Sequence, residues 1–483
     1  MGKFYLTTTL PYVNDRPHIG FALEIVQADA LARYRRLLGD EVFFNFGTDE
    51  HGSKIYRKAQ EEGKEPKAYV DEYAKTFEEL KHSLNLSYSA FIRTTDPHHV
   101  TAAQEFWRRC AKAGDIELKK YKTKYCVGCE LEKTDSELVD GKCPLHPNLV
   151  IEIIEEENYF FLLSKYNQKL LDFYKANPDF VVPNFRLNEI ISLIKKIKKE
   201  GLQDFSISRL ASKMPWGVPV PDDSAHVMYV WFDALVSYIS TLGWPENEEK
   251  FKAFWPGIQF AGKDQVRQQA AMWQAMLMSA GLPNTKQIFI HGFISVDGQK
   301  MSKSLGNVVY PEELVKKYGT DAVRYYLLRH VHPFEDSDFS EEKFREAYNA
   351  NLANGLGNLV ARVMTLAEKH LEKSPASLVD VHAYIAGAGL HTSEGLENFE
   401  FNQALDEIWG RIQMLDAAIT KREPFRLIKD DPEEGKALIL DMAAQLYGVA
   451  LILEPFMPTT SKVILGAVEE NKKPENLFPR FID

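Results

Sequence analysis

Cysteine is scarce in this chain: four residues in 483. That excludes a disulfide framework, and three of the four share one short segment with a histidine, which is the arithmetic of metal ligation. Long apolar runs are missing too. The most apolar stretch, 437–453, is interrupted by Asp441 and Gln445, so it reads as a buried bundle helix and no membrane partner is expected. The start, Met1-Gly2-Lys3-Phe4-Tyr5-Leu6, lacks a signal-peptide order, and Leu6 stands where a myristoylation motif needs Ser or Thr. A cytoplasmic location is the expectation. Positive charge is in deficit: 58 Lys and Arg against 69 Asp and Glu give a net charge of −11. This argues against an indiscriminate polyanion binder and against a DNA partner, while leaving RNA contacts through local patches open. Lys195-Lys196-Ile197-Lys198-Lys199 is one such patch, although a solvated helix face is the more ordinary meaning of such a run. No low-complexity segment or internal repeat is evident, and the 45% hydrophobic content suits three or four globular domains.

What is present is a widely separated pair of motifs. Pro17-His18-Ile19-Gly20 follows a short apolar strand, 4–8, and opens a helix running to about Leu38. Backbone N–H groups at a helix start attract phosphate, and Gly20 allows close approach. Lys300-Met301-Ser302-Lys303-Ser304 offers two ammonium groups among small residues, which suits a loop closing on a developing pyrophosphate. Together they fit a nucleoside triphosphate attacked at its α-phosphate.

Strands at 4–8 and 41–46 alternate with helical spacing (Leu23, Val26, Ala30, Tyr34), and the alternation resumes at 226–230, 258–261 and 287–290. This predicts an α/β fold, a doubly wound parallel sheet of Rossmann-like type with its ligand at the strands' carboxyl ends. The loaded residues, Tyr12 to Gly20, Asp49, Trp231, Asp264 and His291, each sit just past such a strand. The segment 115–224 reads as an insertion, and after 345 the chain is nearly all helix, with Asn354, Asn358 and Arg362 on a shared face. The expected domains are 1–114 and 225–295 for the two catalytic halves, 115–224 for the insertion, 296–345 for the lysine-loop region and 346–483 for a helical bundle.

Cys126-x-x-Cys129 and Cys143-x-x-His146 supply three thiolates and an imidazole, a closed tetrahedral set that predicts a structural Zn2+. Gly128 and Gly141 relieve the turns between ligands. Cys110, on a helix with Ala103, Phe106 and Trp107, reads as a small buried hydrophobe. Gly257 to Asp264 nearly spells a P-loop, yet Asp264 stands where a hydroxyl must hold magnesium, and 258–261 reads as strand.

The motif pair resembles the nucleotide-binding motifs of class I aminoacyl-tRNA synthetases. Thr9-Leu10-Pro11-Tyr12-Val13-Asn14, Gly47-Thr48-Asp49-Glu50-His51-Gly52, Tyr229-Val230-Trp231-Phe232-Asp233-Ala234 and Gly306-Asn307-Val308-Val309 are similar to the methionyl members. The resemblance spans essentially the whole chain. It implies ATP with Mg2+, L-methionine and tRNA(Met) as substrates. His18, Lys300 and Lys303 would act on the phosphates, and Gly20, Gly262, Asp264 and His291 would complete the ATP site, Asp264 on the ribose. Asp49 would pair with the α-ammonium, with an N-cap role as its structural rival. Leu10, Tyr12, Trp231, Ala234, Leu235, Tyr238, Gln265 and Gln269 would line the methionine pocket, where apolar and aromatic groups suit a thioether. Asn358, Arg362 and Phe425 would read the anticodon, Phe425 replacing the family's stacking tryptophan. The appended barrel of dimeric members does not follow, so a monomer is expected.

Besides Phe425, four positions depart from the family. Gln265 and Gln269 replace an apolar residue and a histidine, Leu235 a proline found in some members, and Phe21 the second histidine of the turn. Two other readings therefore stand beside the methionyl one. One is a class I synthetase for another apolar amino acid, against which the short insertion argues. The other is a non-catalytic tRNA-binding paralogue, which only Phe21 favours.

Overall fold

Alternating side chains on the central strands face two different cores. The computed structural model describes residues 2–133, 135–196, 202–302, 305–381, 384 and 395–481. Tyr5 and Leu6 of the strand Lys3–Thr7 point to opposite faces, as do Phe260 and Ala261 of Ile258–Gly262 and Phe289 and Ile290 of Gln287–His291. One face is covered by the helix Ile19–Leu37 through Ala22, Leu23 and Val26; the other by Pro97–Lys112 through Ala102, Ala103 and Phe106. Burial on both faces is what parallel strands require.

The sheet has six strands in the spatial order Ala90–Arg93, Glu41–Thr48, Lys3–Thr7, Ile258–Gly262, Gln287–His291, Val181–Val182, every pairing parallel. Chain order reverses between Lys3–Thr7 and Ile258–Gly262, and the carboxyl ends of that pair form the natural crevice. Two expectations need correction. The strand predicted at 226–230 is Asp223–Met228, and it does not join this sheet. It pairs antiparallel with Pro219–Val220 and Ser208–Leu210, because a tight turn through Asp222 (φ +64°) leads into it and no crossover helix does. Conversely, Val181–Val182, inside the segment read as an insertion, supplies the outermost parallel strand against Ile288 and Phe289.

The rest of the insertion is a four-stranded antiparallel sheet built on the long hairpin Ile116–Cys126 and Glu152–Phe161. Of the lysine patch, residues 197–199 lie outside the described residues. The C-terminal part is helical. Its helix Pro432–Leu453 is long and apolar enough to cross a membrane, but 67% of its most apolar window is buried within the protein. It starts where Asp431 accepts the N–H groups of Glu433 and Glu434, with Pro432 in the first turn. Before it, Tyr348–Gly357 is π-helical and Asn358–His370 α-helical. Asn354 and Asn358 are exposed on this continuous helix and Arg362 is half-buried.

A buried ion pair ties the catalytic helix to the helical bundle. Asp29, fully buried, meets Arg324 at 2.8 Å and Arg33 at 2.8 Å, and accepts the Ser87 N–H and hydroxyl at 2.6 Å each. Arg324 donates onward to the carbonyls of Leu84, Pro455 and Phe456. Burial alone would raise the Asp29 pKa, yet the two guanidiniums and the Ser87 donors hold it below its ordinary value. Asp29→Asn strands Arg324 as an uncompensated buried charge, and equilibrium urea unfolding at pH 7 should read a loss of about 3–5 kcal/mol. Because the folded pKa is depressed, the Asp29 contribution is present above the ordinary carboxylate pKa. It is lost as pH falls through the folded one, so the stability gap between wild type and variant should close in acid.

Candidate active site

The crevice at the sheet reversal opens into a cavity of about 560 Å3. Two backbone segments leaving adjacent strands run side by side there: Asp49 N–H donates to the Pro11 carbonyl at 2.9 Å, and Val13 N–H to the Asp49 carbonyl at 3.3 Å. This lacing sets Tyr12 beside Asp49. Trp231, Ala234 and Leu235 reach the same wall from the short helix Val230–Leu235, and Tyr238 follows them. Leu10 and Gln265 complete it. Gln269 does not line the cavity. It is fully buried behind the wall and donates to the Tyr238 hydroxyl at 2.8 Å. Tyr12 Oη, Trp231 Nε1, Gln265 Oε1 and Gln269 Oε1 are buried without a protein partner, so this end of the cavity retains unused polar capacity.

Asp49 is not an N-cap, since Gly52 caps the following helix. Its carboxylate is buried, and burial pushes its pKa well above the usual range, with nearby Asp233 adding to the effect; a contact from the His51 N–H at 3.4 Å opposes it. A bound cation would reverse this and stabilise the charged form. Behind it stands a group that sequence reasoning missed. Asp233 bridges His51 (2.6 Å) and His99 (2.8 Å), and His99 in turn meets the Ser240 hydroxyl at 2.9 Å. Burial opposes its ionisation, but the two imidazoles hold its pKa at about 2.

The other end of the cavity holds His18, Gly20, Gly262, Asp264 and His291. His18 Nδ1 accepts the Gly20 N–H at 3.0 Å, and burial lowers its pKa to about 4. The ring is therefore neutral, and with Nδ1 accepting, Nε2 carries the proton. Free helix-start amides, expected here for phosphate, are not found. Gly20 N–H is engaged by His18 and Ile19 N–H by the Val309 carbonyl at 2.9 Å. Gly20 serves by lacking a side chain, as a Cβ would lie 2.8 Å from His18 Cε1. The Phe21 ring packs on the His18 ring at 4.5 Å and edge-on to Phe77.

His291 presents the opposite case. Its Nδ1 faces the Gly292 carbonyl at 2.7 Å and its Nε2 the Glu24 carboxylate at 2.9 Å. Two acceptors favour the imidazolium, so the pKa rises although burial opposes it. Glu24, also missed, takes the N–H and hydroxyl of Thr9 at 2.7 and 2.6 Å. Its only sequence signal is a carboxylate among Ala22, Leu23, Ile25 and Val26 on a buried helix face. Residues 258–262 are strand throughout, so the P-loop reading is excluded. A Cβ at Gly262 would crowd Asp264 Oδ1 at 3.0 Å.

Lys300 reaches the cavity from the hairpin Ile294–Val296 and Gln299–Lys300, its ammonium donating to the Leu145 carbonyl at 3.1 Å. Lys303 lies outside the described residues. Leu145 precedes His146 of the cysteine cluster, whose Gly128, Cys129 and His146 also wall the cavity. The donor atoms of Cys126, Cys129, Cys143 and His146 lie within 4.8 Å of one another. Cys129 Sγ is 3.4 Å from Cys143 Sγ and 3.2 Å from His146 Nδ1, near the edges of a tetrahedron around zinc with metal–sulfur bonds of about 2.3 Å. A Cβ at Gly128 would strike the His146 ring at 2.5 Å, so the cradle requires glycine. Cys110 is buried apart from this cluster.

Asn358, Arg362 and Phe425 lie away from the cavity, on the bundle. Phe425 is 44% exposed, Asn358 is exposed, and Arg362 pairs with Asp416 of the helix Phe401–Arg422.

The family described as tRNA synthetases class I (M) matches residues 4–150 and 148–364. A methionine–tRNA ligase of Caldanaerobacter subterraneus subsp. tengcongensis is 42% identical over 97% of this chain and 74% of its own length. That of Nostoc sp. is 41% identical over 95% of this chain and 89% of its own. The solved structure of Mycobacterium tuberculosis methionyl-tRNA synthetase in complex with methionyl-adenylate superposes with a TM-score of 0.91. It is 36% identical in sequence, and the match covers 99% of this chain and 100% of that one. With this agreement from strand order to sequence, the chain belongs to the methionyl group of the class I tRNA synthetases.

Proposed function

We propose that the protein joins L-methionine to tRNA(Met) at the expense of ATP. The observation that carries this reading is a single cavity with a buried carboxylate and aromatic wall at one end and, at the other, His18 with its pKa lowered by burial and His291 with its pKa raised by Glu24. Asp49 takes the α-ammonium, and Leu10, Tyr12, Trp231, Ala234, Leu235 and Tyr238 enclose the thioether. Gln265 and Gln269, amides where the family has an apolar residue and a histidine, keep hydrogen-bonding capacity at that wall; Gln269 anchors the Tyr238 hydroxyl.

A methionine carboxylate oxygen attacks the α-phosphorus of ATP, and the bond from that phosphorus to the bridging oxygen breaks, releasing pyrophosphate. His18 donates from Nε2–H to the phosphate oxygens without needing a positive charge. Lys300 and Lys303 meet the negative charge that grows on the leaving group. Mg2+ travels with the triphosphate and neutralises it further. Gly20 and Gly262 give the nucleotide room, Asp264 accepts from the ribose, and Glu24 orients the His291 ring. A hydroxyl of the terminal tRNA adenosine then attacks the acyl carbon, and AMP leaves. Lys300 leaves the Leu145 carbonyl to do this work.

Cys126, Cys129, Cys143 and His146 hold a structural zinc, which fixes a wall of the cavity and takes no chemical step. Residues 1–114 and 225–295 form the catalytic halves, 115–224 the insertion, 296–345 the loop region and 346–483 the anticodon-binding bundle. There Asn358, Arg362 and Phe425 contact unstacked bases, the phenylalanine by stacking. The use of charged tRNA in translation supports a cytoplasmic location.

Methionine-dependent pyrophosphate exchange tests the reading directly, and its absence would overturn it. Lys303→Ala should slow single-turnover adenylate formation ~10²–10³-fold while methionine binding without ATP is nearly unchanged. Purified protein should hold one zinc per chain, and Cys126→Ser with Cys143→Ser should abolish it. Normal zinc content in that double variant would refute the ligand set. Arg362→Ala should raise KM for tRNA sharply and leave pyrophosphate exchange almost untouched; an equal fall in both assays would mean the Asp416 pair merely supports the fold.

A further inference from the structure

The two stretches that bear on the phosphates are tied together by a residue outside both motifs. Arg16, in the run Asp15-Arg16-Pro17 that leads to His18, lines the cavity and reaches across to the chain leaving the lysine loop. Its guanidinium lies 4.4 Å from the centroid of the Tyr310 ring and donates to the Glu312 carboxylate at 2.9 Å, with Glu313 at 3.9 Å. Both acids stand in the first turn of the helix Pro311–Tyr318, where the helix dipole favours negative charge and Pro311 fixes the backbone. Beside this contact the Ile19 N–H donates to the Val309 carbonyl at 2.9 Å. A side-chain tie and a backbone tie therefore hold residues 309–312 against the turn of His18.

The same segment reaches back to Lys300. Asn307 Nδ2 donates to the Lys300 carbonyl at 3.2 Å, and Asn307 Oδ1 accepts the Ser302 N–H at 2.8 Å. Met301 lies close to the histidine turn, since a Cβ on Gly20 would stand 3.8 Å from Met301 Cε. The Lys300 ammonium is thus free to leave the Leu145 carbonyl while its backbone stays anchored.

The charge of Arg16 is already answered. Glu312 and Glu313 face the guanidinium, and Asp15 accepts the Arg16 N–H at 2.8 Å, so Arg16 is not a spare cation for the triphosphate. An ion pair whose arginine is 44% exposed also contributes little to folding. What the contact fixes is a distance, that between the exit of the lysine loop and His18. Catalytic groups displaced by about 1 Å from their reacting centre lose rate steeply.

We propose that Arg16 is a positioning residue for adenylate formation. It holds the segment 306–312, and through Asn307 the backbone of Lys300, at the spacing from His18 that lets both donors meet one triphosphate. This role rests on the function proposed above. A direct contact of Arg16 with phosphate is the competing role.

Single-turnover adenylate formation decides between them. Arg16→Ala should slow it about tenfold, while the Kd for methionine without ATP stays within about twofold of wild type. In a Lys300→Ala background the same substitution should cost less than about threefold, because a residue that acts through Lys300 has nothing left to position. Glu312→Gln combined with Glu313→Gln should slow the otherwise wild-type protein about as much as Arg16→Ala does. An undiminished rate in Arg16→Ala would overturn the proposal, and so would a larger loss than this in the Lys300→Ala background. A paired glutamine variant at the wild-type rate or faster would overturn it in favour of direct contact, since Arg16 is then released to the phosphates. If Arg16→Ala loses methionine binding, the turn itself is disturbed, and the paired glutamine variant, measured in both backgrounds, decides alone. Wild-type protein without methionine-dependent exchange would instead refute the underlying function, a result readable before any variant is made.

Discussion

Asp29 and Arg324 fix the geometry on which the active-site cavity depends. The helix that begins at His18 also carries Glu24, and one turn and a half further along it carries Asp29. Pinning Asp29 to Arg324, and through it to the carbonyls of Leu84, Pro455 and Phe456, holds the catalytic helix, the turn before the strand Ala90–Arg93 and the C-terminal bundle in one arrangement. Apolar packing alone would permit several rotations of that helix. A fully buried charge pair permits very few, because each alternative strands a charge in a medium that does not solvate it. His18 and Glu24 can therefore be set to within hydrogen-bond tolerance against Gly20, Thr9 and His291.

The parallel sheet was legible from the sequence because it rests on periodicity, and periodicity survives tertiary packing; its strand order and the place of its reversal were not. The strands read at 4–8, 41–46, 258–261 and 287–290 occur where expected, because each is short and apolar. The two misreadings share a physical origin. Val181–Val182 is too short to show alternation, and its place in the sheet is settled by Ile288 and Phe289, far away in sequence. Asp223–Met228 has the composition of a sheet strand, but its partners are chosen by the hairpin turn at Asp222. Pairing direction is a property of connections, which composition does not encode.

At the site, sequence assigned roles to residues that meet the cavity and none to those that support them, even though His51 and Asp233 stand inside the family-like motifs. Glu24, His51, His99 and Asp233 form no spacing pattern with one another, and their roles exist only once helices and strands are packed. The cysteine cluster was legible as a ligand set, since two-residue spacing is local chemistry. That it also walls the cavity and offers the Leu145 carbonyl to Lys300 was not, because the contact joins residues 155 positions apart. The insertion is thereby part of the catalytic enclosure. Any displacement of the cluster moves the resting partner of a lysine proposed to act on phosphate.

His18 and His291 are one side-chain type whose pKa is driven in opposite directions across a single cavity. His18 has one acceptor position used by a backbone N–H and no carboxylate in contact, so burial prevails and the ring stays neutral. His291 is buried as deeply, yet it faces a carboxylate and a carbonyl, and hydrogen bonding to the charged form outweighs burial. The consequence is a division of labour. A neutral donor meets the reacting phosphate and keeps that role at any pH well above 4, while across the cavity the Glu24 contact favours the charged form of His291. Neither state is written in the residue type; both follow from what Gly20, Glu24 and Gly292 present to the rings.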